Sequence, residues 1–181
     1  MRVRINSRGA VDCRGAIDVP LPAISVWGQL RDFPRYAARD PFHLPPRVEG
    51  GIPRAGVAIE LSHRYAGLGV RRVGRILVWR EQVAYSFSDL SRRGPRHGFP
   101  HVFSYRLEPL SEQSTRVHVL VRGLWTSHRI PHWAARWWLR WVFARVLRRV
   151  RNELLLYQLW RKRRARTTHP SRTPPTRSSH S

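Results

Sequence analysis

Apolar and polar residues alternate along most of the chain, and the period of that alternation changes where the elements change. From Val11 to Val19, Val11, Cys13, Gly15, Ile17 and Val19 fall on one side, with Asp12, Arg14, Ala16 and Asp18 on the other. That two-residue period predicts a half-buried strand, ended by Pro20 and Pro22. "PAISVWGQLRDF" then takes a helical period, with Pro22 in its first turn and Ile24, Trp27 and Leu30 inward. "PRYAARDPF" predicts a second short helix or turn, closed at Asp40-Pro41 because the residue before a proline is pushed out of the helical region. Residues 44–55, rich in proline and glycine, predict loop around at most a short edge strand.

Five strand patterns follow in succession. "GVAIELSHRY" places Val57, Ile59, Leu61, His63 and Tyr65 on one face, and "VRRVGRILVW" runs to Trp79 after a Gly67/Gly69 turn. "VAYSFS" turns Val83, Tyr85 and Phe87 inward, and "VFSYRLEP" aligns Phe103, Tyr105 and Leu107. "STRVHVLVRGLW" carries Val117, Val119, Val121 and Trp125 opposite Arg116, His118, Leu120 and Arg122. The short spacing between them predicts antiparallel hairpins rather than crossover units. Only "LSRRGPRHGFP" (90–100) is long for a hairpin loop, and it reads as a rim segment.

From about Pro131 the period becomes 3.6. Ala135, Leu139, Val142, Phe143, Val146, Val150, Leu154 and Tyr157 form one stripe that needs a sheet to cover. The opposite face holds Trp133, Trp137, Trp141, Leu155 and Leu159 among Arg140, Arg148 and Arg151. The whole pattern is an α+β domain over residues 10–160, with 1–9 as an N-terminal extension. Residues 161–181 hold basic residues and prolines but no acid, and predict a disordered basic tail.

Charge changes the picture more than composition does. The 181 residues carry 34 basic against 11 acidic side chains, a net +23, and Lys162 is the only lysine. An arginine bias that complete fits a GC-rich genome, yet the surface still attracts anionic lipid, RNA or acidic proteins. The single cysteine, Cys13, excludes an internal disulfide and a thiolate metal cluster. The first residues lack the apolar run of a signal peptide, and no window has the ~18 uncharged apolar residues of a membrane span. The expected compartment is the cytoplasm, with contact at a membrane surface left open.

In its element order the chain resembles the START/polyketide-cyclase (SRPBCC) superfamily. "IDVPLPAISVWGQLRDFPRYAARDP" (17–41) is similar to that family's opening strand, proline-bounded turn, Val-Trp pair and Asp-Pro, and "STRVHVLVRG" (114–123) to its late strand. The resemblance implies a helix-grip fold: a curved antiparallel sheet wrapped around a long C-terminal helix, with two short helices after the first strand. It also implies an internal cavity for lipids, sterols, quinones or polyketides. The coenzyme Q-binding branch takes isoprenoid quinones, a related branch includes a ribosome-associating toxin, and the polyketide cyclases are enzymes. Arg39 stands where many relatives have a tryptophan near the cavity mouth.

No catalytic set, metal site or cofactor motif emerges from the residues. Most acidic residues fall at turns or on outward strand positions, Glu153 near the inward helical stripe being the exception. His128 and His132 lie four apart, but Pro131 interrupts the turn and no carboxylate accompanies them. The candidate ligand cavity is lined by Ile59, Leu61, His63, Tyr65, Trp79, Tyr85, Phe87, Phe103, Tyr105, Val119, Val121, Trp125, Trp138, Val142 and Val146. In it His63 and the tyrosine hydroxyls would orient the polar end of a hydrophobic small molecule. The face of Trp133, Trp137, Trp141, Arg140, Arg148 and Arg151 is a candidate surface for anionic membrane, for the protein's own loops or a second subunit, or for nucleic acid. The functions carried forward are binding of a hydrophobic molecule, a polyketide cyclase/dehydrase-type reaction, and ribosome or RNA association.

Overall fold

A computed structural model describes residues 1–34, 45–65, 68–89, 99–127 and 129–167, with backbone alone for 63–65, 68–70 and 161–167. The elements in chain order are β1 (Arg2–Ile5), β2 (Ala10–Val19), α1 (Ala23–Leu30), β3 (Arg47–Val48), β4 (Ala58–Tyr65), β5 (Leu68–Arg80), β6 (Ala84–Ser88), β7 (His101–Ser111), β8 (Ser114–Leu124) and α2 (His132–Thr167). All eight strands form one antiparallel sheet in the order β1-β2-β8-β7-β6-β5-β4-β3. With α2 against its inner face this is the α+β helix-grip arrangement. The sheet closes on β2–β8, where Ala10↔Leu124 to Val19↔Thr115 pair strands from opposite ends of the domain.

The two-residue period has the expected result. Val11, Cys13 and Val19 on β2, Phe103, Tyr105 and Leu107 on β7, and Val117, Val119 and Val121 on β8 are all buried. From α2, Ala135, Leu139, Val142, Phe143, Val146, Leu147, Val150 and Leu154 close the core. The helix crosses β2 at Gly15, where a Cβ would lie 2.5 Å from Leu147 Cδ1 and 3.1 Å from Phe143 Cε1, so a larger residue fits only if the Leu147 side chain shifts. Beyond that crossing, Gln158 Nε2 donates to the Pro20 carbonyl at 2.9 Å, tying α2 to the turn that leads into α1.

Several boundaries differ from the sequence expectation, each for a local reason. Residues 1–9 do not stand outside the domain: Val3 and Ile5 alternate with Arg2 and Arg4, and the segment pairs with β2 as an edge strand. The connecting turn is held by Asn6 Oδ1, which accepts from the amides of Arg8 (3.0 Å) and Ala10 (2.8 Å). At the other end α2 runs on to Thr167, past the expected start of the tail at 161. Arginine, lysine and alanine are good helix formers, so charge alone does not stop a helix. Residues 168–181 lie outside the described residues.

Ile24 is 62% exposed, because the buried stripe of α1 is Val26, Trp27 and Leu30 and Ile24 falls beyond its edge. Val83 is exposed too, sitting in the β5–β6 turn beside Gln82, whose φ is 59°. The second short helix begins at Phe33–Pro34, and the rest of "PRYAARDPF", with Arg39, lies outside the described residues, as does 90–98.

Candidate functional site

The register of the central strands assembles an aromatic inner face. Tyr85 pairs with Tyr105, and that with Val119; Phe87 pairs with Phe103, and that with Val121. The Phe87 and Phe103 rings stack at 5.7 Å, and Tyr85 lies 5.1 Å from Tyr105. Phe33 meets Tyr85 and Phe87 edge-on at 5.8 and 5.0 Å. Ile59, Leu61, Val142 and Val146 are buried around this face, while Trp79, Trp125 and Trp138 are partly buried and packed against it. The backbone of His63 and Tyr65 lies on β4, and their side chains are outside the described residues.

At one end of this face the side chains become charged. Asp89 is 1% and His101 6% exposed. The Asp89 amide donates to the His101 carbonyl at 2.7 Å, so the β6–β7 pairing continues one residue beyond the strand. Asp89 Oδ2 lies 3.5 Å from Arg72 Nη1 and 3.6 Å from His101 Nδ1. That nitrogen also lies 2.7 Å from the Phe99 carbonyl, and both neighbours are acceptors, which fixes the ring proton on Nδ1. The imidazole stacks on Phe99 at 4.8 Å, and from there a line of rings runs through Trp125 (6.2 Å) to Trp138 on α2 (6.0 Å). A carboxylate buried this deeply requires partners, and the guanidinium and imidazole supply them.

The reading of the acidic residues as turn or outward positions therefore fails at Asp89. The signal was in the alternation: Tyr85, Phe87 and Asp89 share one parity on β6, as do His101, Phe103 and Tyr105 on β7. Extending each strand by one residue brings the pair together. Arg72, opposite Leu61 on β5, had no distinguishing mark in a chain so rich in arginine.

The opposite end of the face is closed by a different carboxylate. Glu81, in the β5–β6 turn, accepts from Trp27 Nε1 at 2.6 Å and from Trp79 Nε1 at 2.8 Å. The two indoles meet edge-on at 5.4 Å, which pins α1 onto the hairpin. On the sheet's outer face a groove of about 410 Å3 lies over β8, β7 and β6, with Ser86, Ser104, Arg14, Arg106 and His118 among its walls. His118 Nε2 donates to Glu108 Oε2 at 2.5 Å there, holding that carboxyl below its usual range. Trp133, Trp137 and Trp141 stand exposed on α2 with Arg140, Arg148 and Arg151. His132 opens the helix, exposed, and His128 is outside the described residues. Among the described residues no three metal-binding side chains cluster, and no helix is long and apolar enough to cross a membrane.

This sheet, gripping one long C-terminal helix, has the START-like helix-grip fold. Solved structures with the same fold include a START superfamily protein from Mycobacterium smegmatis, 14% identical over 81% of this chain and 98% of that one, with a TM-score of 0.62. The Zhui aromatase/cyclase from Streptomyces sp. R1128 is 18% identical over 80% of this chain and 93% of its own, with a TM-score of 0.60. Ara h 8.0201 is 12% identical over 81% and 99%, with a TM-score of 0.56. No protein-family model and no curated protein matches the sequence.

Proposed function

We propose that the domain binds a hydrophobic small molecule, such as a lipid, an isoprenoid quinone or a polyketide, between the aromatic inner face of the sheet and α2. One observation carries this reading: the charged cluster of Arg72, Asp89 and His101 is set at one end of an otherwise apolar inner face. A core built for stability alone gains little from a buried ion cluster, since apolar side chains of like volume serve as well. Ile59, Leu61, Tyr85, Phe87, Phe103 and Tyr105 would supply apolar contact at roughly 25 cal/mol per Å2 buried. The cluster, with His63 and Tyr65 on the neighbouring β4, would fix the polar end. The fold shared with a START superfamily protein supports the class of cargo. Such cargo partitions into bilayers, so the reading extends to contact with a membrane surface.

The test is native mass spectrometry and solvent extraction of the purified protein, with displacement of a fluorescent fatty acid or quinone. Bound ligand is expected, with affinity lowered roughly tenfold in His101→Ala. Protein that is empty and displaces no probe refutes the proposal. A second reading, a cyclase-type enzyme, is favoured by the carboxylate behind His101 Nδ1, which suits the ring to act as a general base. The fold is also that of an aromatase/cyclase. Under this reading His101→Ala abolishes turnover of a polyketide substrate while leaving its binding and the fold intact.

A further inference from the structure

The outer face of α2 displays apolar surface that the other described residues leave uncovered. Trp133, Trp137 and Trp141 are 73%, 71% and 46% exposed. Spaced four residues apart, they form one ridge along the first turns of the helix. Ile130, just before the helix, is a further 44% exposed. At 100° per residue, Arg136 and Arg140 fall on one side of the ridge and Arg145 and Arg149 on the other, all four exposed. Arg148 and Arg151 continue the line of the ridge as charge, and the sequence from 113 to 152 contains no carboxylate.

We infer that this face docks the protein on an anionic lipid surface. In that pose α2 lies in the plane of the interface, with the three indoles at headgroup depth and the flanking guanidiniums on lipid phosphate. Indole is suited to that depth, being apolar over most of its surface with one N–H for the headgroup region. Arginine extends sideways from a submerged helix on its aliphatic stem and keeps its charge in the phosphate layer. The net charge of +23 adds long-range attraction to an anionic leaflet.

Two other occupants fit the same face less well. In a two-fold contact with a second copy, each arginine row would meet its own like-charged counterpart. For unpaired nucleic-acid bases, stacking needs an open indole face, and the Arg145 guanidinium lies 5.6 Å over the Trp141 ring. Docking does not depend on what the domain binds inside, but it places one feature near the lipid. The turns that carry the ridge also carry Trp138, the end of the line of rings through Trp125 and Phe99 to His101. The ridge therefore sits on the part of α2 that lies nearest the polar-cluster end of the inner face.

The experiment is flotation of the full chain with vesicles of phosphatidylcholine alone and with about 30 mol% phosphatidylglycerol, at about 0.1 and 0.5 M NaCl. Binding to the anionic vesicles is expected, weakened but retained at the higher salt because the indoles contribute independently of charge. The triple variant Trp133→Ser, Trp137→Ser, Trp141→Ser should bind at least about tenfold more weakly, with circular dichroism unchanged because the rings are exposed. Trp137→Ser alone should fall between the two, which guards against misfolding of the triple variant. No flotation of the wild type overturns the proposal. So does a triple variant that floats as well as wild type, which would assign the binding to the basic residues after 160. A dimer, or an RNA complex, lost in the triple variant without any vesicle binding overturns it in favour of those partners.

Discussion

The β5–β6 hairpin carries a carboxylate at each end of the sheet's inner face, and the two do different work. Glu81 sits in solvent at the turn and accepts from two neutral indole N–H groups, joining α1 to the sheet. Asp89 is 1% exposed at the other end and faces a guanidinium and an imidazole. In water a carboxylate needs no cation, so Glu81 is free to serve as a clamp between rings. In the core the charge itself must be balanced, and Asp89 therefore comes with two basic partners. The difference separates an end whose carboxylate is solvated from an end whose carboxylate is balanced inside the protein.

The largest effect expected from breaking this contrast comes from Asp89→Ala. It removes the carboxylate that faces the largely buried Arg72 guanidinium and should cost about 3–5 kcal/mol in denaturant unfolding. Replacing the whole cluster, Arg72→Met with Asp89→Leu and His101→Phe, sharpens the comparison, because no charge is then stranded. Stability within about 1 kcal/mol of wild type, together with loss of ligand displacement, is the expected result; a collapse of stability would make the cluster a structural device. Glu81→Gln should cost about 1 kcal/mol, since the amide nitrogen cannot accept from one of the indoles, and the tryptophan fluorescence should shift.

The smallest effect belongs to the surface pairs. Arg116 holds the Asp18 carboxyl, and Arg14 the Asp12 carboxyl, below the usual range through hydrogen bonds of 2.7 to 2.9 Å. Groups depressed in the folded state contribute stability that is full above their unfolded value and is lost as pH falls through the folded one. A shallow decline in melting temperature below about pH 4, flattened by salt, is expected, with solvent screening keeping it small.

Cys13 offers a further reading of the same core. Burial pushes its thiol pKa up to about 12, so thiolate is scarce at neutral pH. Labelling by a disulfide reagent should therefore track global unfolding in wild type and quicken in Asp89→Ala. Fast labelling of the native wild type would contradict the burial at β2.

The fold was legible where periodicity ran uninterrupted. Strands such as Val117–Val119–Val121 and the stripe from Leu139 to Leu154 declare their buried side by spacing alone. What escaped lay at the ends of elements. Arg2–Ile5 is too short and too charged to stand out, although its alternation is regular, and the helix continuing to Thr167 is masked by the basic composition that marks it as polar. The inner aromatics could be placed from the sequence, because alternation specifies a face. The charged cluster could not, because its members come from three strands and meet only through register. Arg72 and Asp89 are separated by a hairpin, and Asp89 and His101 by residues 90–100, so proximity among them is a property of the sheet.

The pairing of β2 with β8 also sets an order of events as the chain is made. The first long strand, complete at Val19, has its main partner only between Ser114 and Leu124, and the helix that covers Gly15 comes later still. During synthesis β2 can pair early only with β1, leaving its other edge and its buried side open until about two-thirds of the chain has emerged. Closure of the sheet on β2 thus comes after the β4–β7 hairpins have emerged, and until the last strand arrives β2 keeps one edge open to wrong partners.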